Sequence, residues 1–367
     1  MQHHLLDPDT LNLLRESLAR YAREQYGFEQ RRKRLASAAG FGLDAWQDYA
    51  QMGWLSIAAS ADHGGFDSAP EAIGALMHYV GSSLALEPVF ASAVLCGRLF
   101  GLAGADPVAE EALQNLAEGK TVYALAHAED ASEGMLGEVG VVWNGSCLSG
   151  RKLVVLHGDS AAQLLVTARD SAGALGLFLV EASQAQVQRS SYRLVDGRGA
   201  ANVSFAGAPA RRVADGRDVE KMLALALDDA RLALCAEAHG ASQALNAITL
   251  AYLKDRRQFG RPIGTNQALQ HRMVELYMLQ EEGRSVINAA YRAKPEARRT
   301  AIFAALAQVM TLGRQASHEA VQMHGGIGVT EELAVSHYFR RLMVVNRLLG
   351  DRELHVRQFA AALDPAG

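Results

Sequence analysis

The 367-residue sequence predicts an α+β fold in three parts: an N-terminal helical domain (1–119), a middle antiparallel β-domain (120–215) and a C-terminal four-helix-bundle domain (216–367). Three observations predict it. Apolar residues recur at three- and four-residue spacing at both ends of the chain, most continuously from Asp218 to Lys254. That period disappears between Thr121 and Val213, where short β-branched runs alternate with turn residues. The order helix, strand, helix is not βαβ alternation, and no GxGxxG follows a strand, which excludes a Rossmann sheet. The length also argues for more than one simple core.

Taken in order, Leu11 to Leu35 is helical, amphipathic and heavily charged, with Tyr21 and Tyr26 among its apolar positions. Gly53-Trp54-Leu55 leads into a loop through Asp67 that turns at Gly64-Gly65. Ala69 to Leu84 is helical again, and its alanines and glycines permit close helix packing. Strands are expected at Val139–Trp143, Lys152–Leu156, Leu164–Ala168, Leu175–Glu181 and Ala201–Phe205, with turns at Asn144-Gly145, Gly158-Asp159, Gly173 and Asp196-Gly197. Helices then return over Asp218–Lys254, Asn266–Ala293, Glu296–His324, Glu332–Leu349 and Arg352–Leu363, with connectors short enough for an antiparallel bundle.

Between the first two of these helices lies Asp255-Arg256-Arg257-Gln258-Phe259-Gly260-Arg261-Pro262-Ile263-Gly264. Gly260, Pro262 and Gly264 each disfavour continuing a helix, so this is a corner carrying three arginines and an aromatic ring. Guanidinium forks beside a ring suit a diphosphate and its attached base. A solvated basic corner is the plain alternative.

Composition excludes several classes. Apolar content of 49% and charged content of 21% describe an ordinary globular protein. A net charge of −4 offers nucleic acid or an anionic membrane no general attraction. Cys96, Cys147 and Cys235 are widely separated, without metal-ligand spacing, and fit a reducing compartment. The first residues lack a basic segment followed by an apolar run, and no apolar stretch has the ~20 residues needed to span a bilayer. A cytoplasmic location is expected, with no metal, nucleic-acid or membrane-spanning role.

Arg256-x-x-Phe259-Gly260, then Asn266-Gln267, then Gln322-Met323-His324-Gly325-Gly326-Ile327-Gly328 far downstream, resembles the acyl-CoA dehydrogenase flavoprotein family. The resemblance covers essentially the whole chain and is strongest to a branch with steroid-degrading dehydrogenases and pimeloyl-CoA dehydrogenase small subunits. Met52-Gly53-Trp54 with His63-Gly64-Gly65 is similar to the family's N-terminal GW…GG element. The resemblance implies the same three-part layout, FAD, an acyl-CoA substrate, an electron-transferring flavoprotein as acceptor, and dimers of dimers built through the C-terminal bundle. It implies that Arg256, Phe259, Gln267, Gln322, Gly325 and Gly326 hold the ADP half of a flavin whose ring lies in a neighbouring subunit.

Other family positions are not kept. The TEP tripeptide is represented by Ala126-His127-Ala128-Glu129-Asp130, which keeps only the glutamate. In the following WIT-like strand Val154 stands for the tryptophan and Leu156 for the hydroxyl residue, before His157. Glu129 reads as a solvated strand-end residue and His157 as a turn residue, the alternative being that they serve the site. The two positions from which the family supplies its catalytic carboxylate hold Leu349, before Gly350-Asp351, and Ala230, before Arg231. The nearby acids are Asp228, Asp229, Glu237 and Asp351. Asp229 and Asp351 are the substitute candidates, although a neighbouring helix position points ~100° away. Arg231 matches a family arginine near the active site, or else pairs with Asp228 or Glu237.

A chain that keeps the nucleotide side and lacks the base is expected to be one partner of an α2β2 acyl-CoA dehydrogenase of lipid or steroid catabolism, completing the FAD site of a catalytic subunit. The alternatives are a self-sufficient homotetramer with a displaced base and a purely structural subunit that binds no flavin.

Overall fold

The computed structural model describes residues 5–67, 69–129 and 139–363. Asp130 lies outside them. Helix α1 (Pro8–Gln25) starts where Asp7 accepts the Thr10 backbone N–H at 3.0 Å and Pro8 sits at the first position, and it buries Leu11, Leu14, Leu18 and Tyr21. The helical stretch to Leu35 is divided into two helices. The chain breaks at Tyr26-Gly27 and resumes as α2 (Phe28–Leu35). Tyr26 turns inward at the break and donates its hydroxyl to the buried Glu87 carboxylate at 2.7 Å. Then follow α3 (Leu43–Gln51) and α4 (Pro70–Ser82), a wholly buried π-helical segment (Val89–Cys96) that the periodicity did not single out, α5 (Gly97–Leu102) and α6 (Pro107–Ala117).

Eight strands follow: β1 (Tyr123–Ala126), β2 (Val142–Trp143), β3 (Cys147–Leu156), β4 (Gln163–Arg169), β5 (Leu175–Glu181), β6 (Val187–Arg193), β7 (Gly199–Pro209) and β8 (Arg211–Asp215). They form one sheet in the order β6-β7-β3-β2-β4-β5-β8, with β1 also on β4. Most pairs are antiparallel as expected. The exceptions are β1 and β2, which run parallel to β4, β1 through Tyr123↔Gln163 and β2 through Val142↔Arg169.

The C-terminal helices are α7 (Arg217–Asp255), α8 (Gln267–Tyr291), α9 (Pro295–His324), α10 (Ala334–Val345) and α11 (Arg352–Leu363). Between α7 and α8 lies a minimal hairpin, β9 (Arg257–Gln258) with β10 (Arg261–Pro262).

Secondary structure divides the chain in three, but packing does not. Buried residues from the N-terminal helices, the C-terminal bundle and one face of the sheet (Leu165, Leu177, Leu179) form one continuous core, while the opposite face of the sheet has its own, which includes Trp143 stacked on Phe178 at 4.6 Å. The α4–α7 contact in the shared core is backbone to backbone. A Cβ at Gly81 would lie 1.9 Å from the Glu237 carbonyl oxygen, and one at Gly240 2.2 Å from that of His78. A buried ionic knot ties all three segments together. Arg341 of α10 reaches Glu237 of α7 (3.0 Å) and Asp196 of the β6–β7 turn (2.9 Å). Arg198 holds the same two acids at 3.2 and 2.7 Å. Arg31 of α2 donates to the Asp196 carbonyl at 3.1 Å. Among the described residues no helix is long and apolar enough to cross a membrane, and no His/Cys/Asp/Glu group is arranged to hold a metal ion.

Candidate FAD-binding corner and base-side pocket

Helix α7 ends at Arg256, whose extended backbone (φ −68°, ψ 121°) starts the hairpin. Phe259 and Gly260 form its tip, both with positive φ (51° and 80°), as a two-residue type I′ turn requires. Glycine takes that conformation freely; phenylalanine does so at a cost of about 1–2 kcal/mol. The Phe259 ring gains no packing within the chain in return, being fully exposed at 101%. A strained, solvated aromatic at a turn tip marks a group whose contacts lie outside its own chain. Behind it, Ile263 N–H closes onto the Arg256 carbonyl at 2.9 Å and packs in a small apolar cluster with Leu253 and Met323.

That cluster brings the second motif to the same place. Tyr252, one turn before Arg256, stacks on His324 at 4.2 Å, and His324 directly precedes Gly325. Helix α9 stops there because Gly325 adopts φ 67°, ψ −147°, a conformation open to glycine and strained for other residues. Gly326 is different: its φ is not positive and an added Cβ would meet no atom within 4 Å. Nothing in its own chain requires glycine there. Gln267, at the first turn of α8, and Gln322 are exposed around this corner. Arg256 and Arg257 make no ion pair among the described residues, whereas Arg261 donates to Asn266 Oδ1 at 3.1 Å. The six residues expected at the nucleotide half therefore sit on one end of the bundle, solvent-facing, with a guanidinium and two glycine backbones uncovered.

The strand side differs from its sequence reading. Val154 lies in a β-bulge with φ 48°, half exposed, its N–H bonded to Asn202 Oδ1 at 3.0 Å. Leu156 is buried and offers no hydrogen bond. Glu129 is not solvated as expected: it accepts from Gly140 N–H (2.7 Å), Val141 N–H (3.0 Å) and the fully buried Lys152 Nζ (2.6 Å). Sequence reasoning passed over Lys152. Its signal was a charged residue at an inward strand position. Burial pushes the Lys152 ammonium down to about 8, against the pull of Glu129. For Glu129 burial pushes upward, but the Lys152 hydrogen bond and charge outweigh it and hold the carboxyl below its ordinary value. His157 does end the strand in a turn (φ 56°), but it is buried, which drives its imidazole down to about 3.

On the base side, Leu349 lies beyond the end of α10 at φ 59° and packs against the main core, while Ala230 is wholly buried on α7. The substitute acids are engaged. Both oxygens of the buried Asp229 are taken by guanidiniums, Arg98 at 2.8 Å and Arg298 at 2.6 Å. Asp351 caps α11 through Leu354 N–H at 2.9 Å. Asp228 holds Arg231 at 2.7 Å, and Glu237 belongs to the ionic knot. Arg231 is thus an ion-pair partner of Asp228, not of Glu237. Its Nε and both ring nitrogens of the buried His355 lack hydrogen-bond partners among the described residues.

A helical sheet-bearing fold with this C-terminal bundle defines an acyl-CoA dehydrogenase-type protein. Residues 221–363 match the family model for the acyl-CoA dehydrogenase C-terminal domain. The acyl-CoA dehydrogenase IpdE2 of Mycolicibacterium smegmatis is 39% identical over 134 residues, covering 36% of this chain and 42% of that protein, so this match spans less than half the relative's length. IpdE2 of Mycobacterium tuberculosis is 28% identical over 341 residues, 91% of each chain. Among solved structures, a variant of the Tcur3481-Tcur3483 steroid ACAD superposes with a TM-score of 0.85 at 26% identity, covering 97% of this chain and 98% of that one. Residues 221–363 thus form an acyl-CoA dehydrogenase C-terminal domain, the whole chain has the acyl-CoA dehydrogenase fold, and FAD is the cofactor of that family.

The residues present fit one half of that cofactor. The uncovered Arg256, the outward Phe259 and the open space over Gly326 suit a diphosphate and its adenosine. Val154 and Leu156 offer a flavin ring no side-chain hydrogen bond.

Proposed function

We propose that this chain is the base-lacking subunit of a heteromeric, FAD-dependent acyl-CoA dehydrogenase, an α2β2 assembly that desaturates a steroid-derived acyl-CoA thioester at its α,β bond. The observation that carries it is the pairing of an exposed corner bearing Arg256, Phe259 and Gly325-Gly326 with Leu349 and Ala230 at the two base positions, Asp228, Asp229, Glu237 and Asp351 all being engaged. When bound, FAD supplies the hydride acceptor for the desaturation. Arg256 would hold the diphosphate, Phe259 and Gly325-Gly326 the adenosine, and Gln267 and Gln322 the polar edge. A carboxylate of the partner subunit would take the proton at the thioester α-carbon, and an electron-transferring flavoprotein would be the acceptor partner. The steroid substrate class is supported by the likeness to the steroid ACAD.

The test is purification of the chain alone and together with a candidate partner subunit that carries a carboxylate at either base position, measuring flavin content and bleaching by acyl-CoA. Flavin reduction only in the mixed assembly is expected. Full loading and turnover by the isolated chain overturn the proposal. Arg256→Ala separates it from a purely structural role: the assembled complex is expected to lose flavin affinity at least tenfold, and unchanged affinity favours the structural role.

A further inference from the structure

A cavity of about 680 Å³ lies between α1, α4, α7 and α8, apart from both regions described above. Its α8 residues, Arg284 to Tyr291, lie 17 or more residues from Gln267, about 25 Å or more along the helix axis from the hairpin. On α7 it takes Ala236, His239 and Gln243, about 120–180° around the helix from Ala230. The volume is that of a small-molecule site.

Its wall is chemically graded. The middle is apolar and small-sided: Ala22, Ala75, Ala236 and Ile287, with Gly74 beneath Tyr291. Gly74 is required there, since a Cβ would stand 1.8 Å from Tyr291 Oη. Glu71 lines the cavity at 9% exposure yet makes no hydrogen bond or ion pair among the described residues, and neither does the Tyr291 hydroxyl. The nearby polar groups are engaged elsewhere. His78 Nε2 meets Gln243 Oε1 at 2.8 Å. His239 Nε2 meets the Gln280 carbonyl at 3.1 Å and so carries the proton there. Arg15 and Arg23, exposed on α1 at the mouth, make no ion pair among the described residues, whereas Arg284 pairs with Glu281. The Glu71 carboxylate and the Tyr291 hydroxyl are not sealed off in the protein but open onto the cavity, where both are free to hydrogen-bond to an occupant.

We propose that this cavity binds an amphipathic carboxylic acid bearing a hydroxyl group. The acid meets Arg15 and Arg23, the hydroxyl donates to Glu71 beside Tyr291, and the apolar body covers the alanines and Ile287. The site is independent of flavin binding and of the missing base.

The test is isothermal titration of the full-length protein, in the assembly in which it is purified, with 12-hydroxydodecanoate, dodecanoate and 1,12-dodecanediol. The first is expected to bind at least tenfold more tightly than either of the others. Arg15→Gln with Arg23→Gln is expected to abolish the advantage over the diol. Glu71→Leu is expected to abolish the advantage over dodecanoate without lowering the melting temperature, since no partner is lost. No saturable binding at millimolar concentration overturns the proposal, as does binding that these variants leave unchanged.

Discussion

Asp229→Asn separates a structural acid from a displaced catalytic base. Asp229 is 5% exposed and bridges Arg98 and Arg298, whose side chains are 8% and 10% exposed. Removing its charge leaves two buried guanidiniums facing an amide. Breaking a buried pair from one side costs about 3–5 kcal/mol, because the remaining charge stays desolvated and unpaired. The unfolding entropy of a 367-residue chain is about 0.8 kcal/mol/K, so the melting temperature is expected to fall by about 4–6 °C if the chain melts as one unit. Turnover per bound flavin in the assembled complex is expected to remain. The assay is thermal unfolding followed by circular dichroism at pH 7, together with acyl-CoA turnover normalised to flavin. Asp229→Leu combined with Arg98→Met and Arg298→Met is expected to recover much of the loss, since the charges are then removed together. A variant that melts within 1 °C of the parent but loses turnover would refute this reasoning and identify Asp229 as a base.

Gly326→Ala is expected to leave the melting temperature unchanged while lowering flavin affinity of the complex, whereas Gly325→Ala is expected to destabilise because its φ of 67° is retained, and thermal melts with flavin titration check both. Gly81→Ala is expected to cost about 3 kcal/mol or more in denaturant unfolding, because its Cβ meets the Glu237 carbonyl oxygen at 1.9 Å and both sides of the clash are backbone. His157 is held neutral, with its imidazole driven down from 6.5 to about 3 by burial. The unfolded chain therefore binds the extra proton first, so the contribution is complete above pH 6.5 and lost as pH falls toward 3. His157→Asn, which suits the left-handed backbone, is expected to reduce the slope of stability against pH between 6 and 4 by about 1.4 kcal/mol per pH unit, measured by urea unfolding.

The backbone turns of the candidate corner were legible because they depend on local chemistry. A positive-φ tip needs glycine beside Phe259, a helix stop needs glycine at 325, and both left marks in the sequence. The engagement of Asp229 was not legible, since its partners lie on α5 and α9, 131 and 69 residues away. Glu129 was misread for the same reason. Its partner Lys152 is 23 residues distant, and a pairing across the sheet has no local signature.

By itself the sequence determined where helices give way to strands, where each long C-terminal helix runs, and that Leu349 and Ala230 carry no acid, because periodicity, turn residues and side-chain identity are properties of the chain. Only the tertiary structure decided that N- and C-terminal helices share one core, that the break at Tyr26-Gly27 turns a tyrosine onto Glu87, and that Asp228 and Asp229 are already paired. Those outcomes depend on which groups meet after packing. The free energy of a buried charge or a close glycine contact is set by its neighbours in space, and these are recruited from distant parts of the chain.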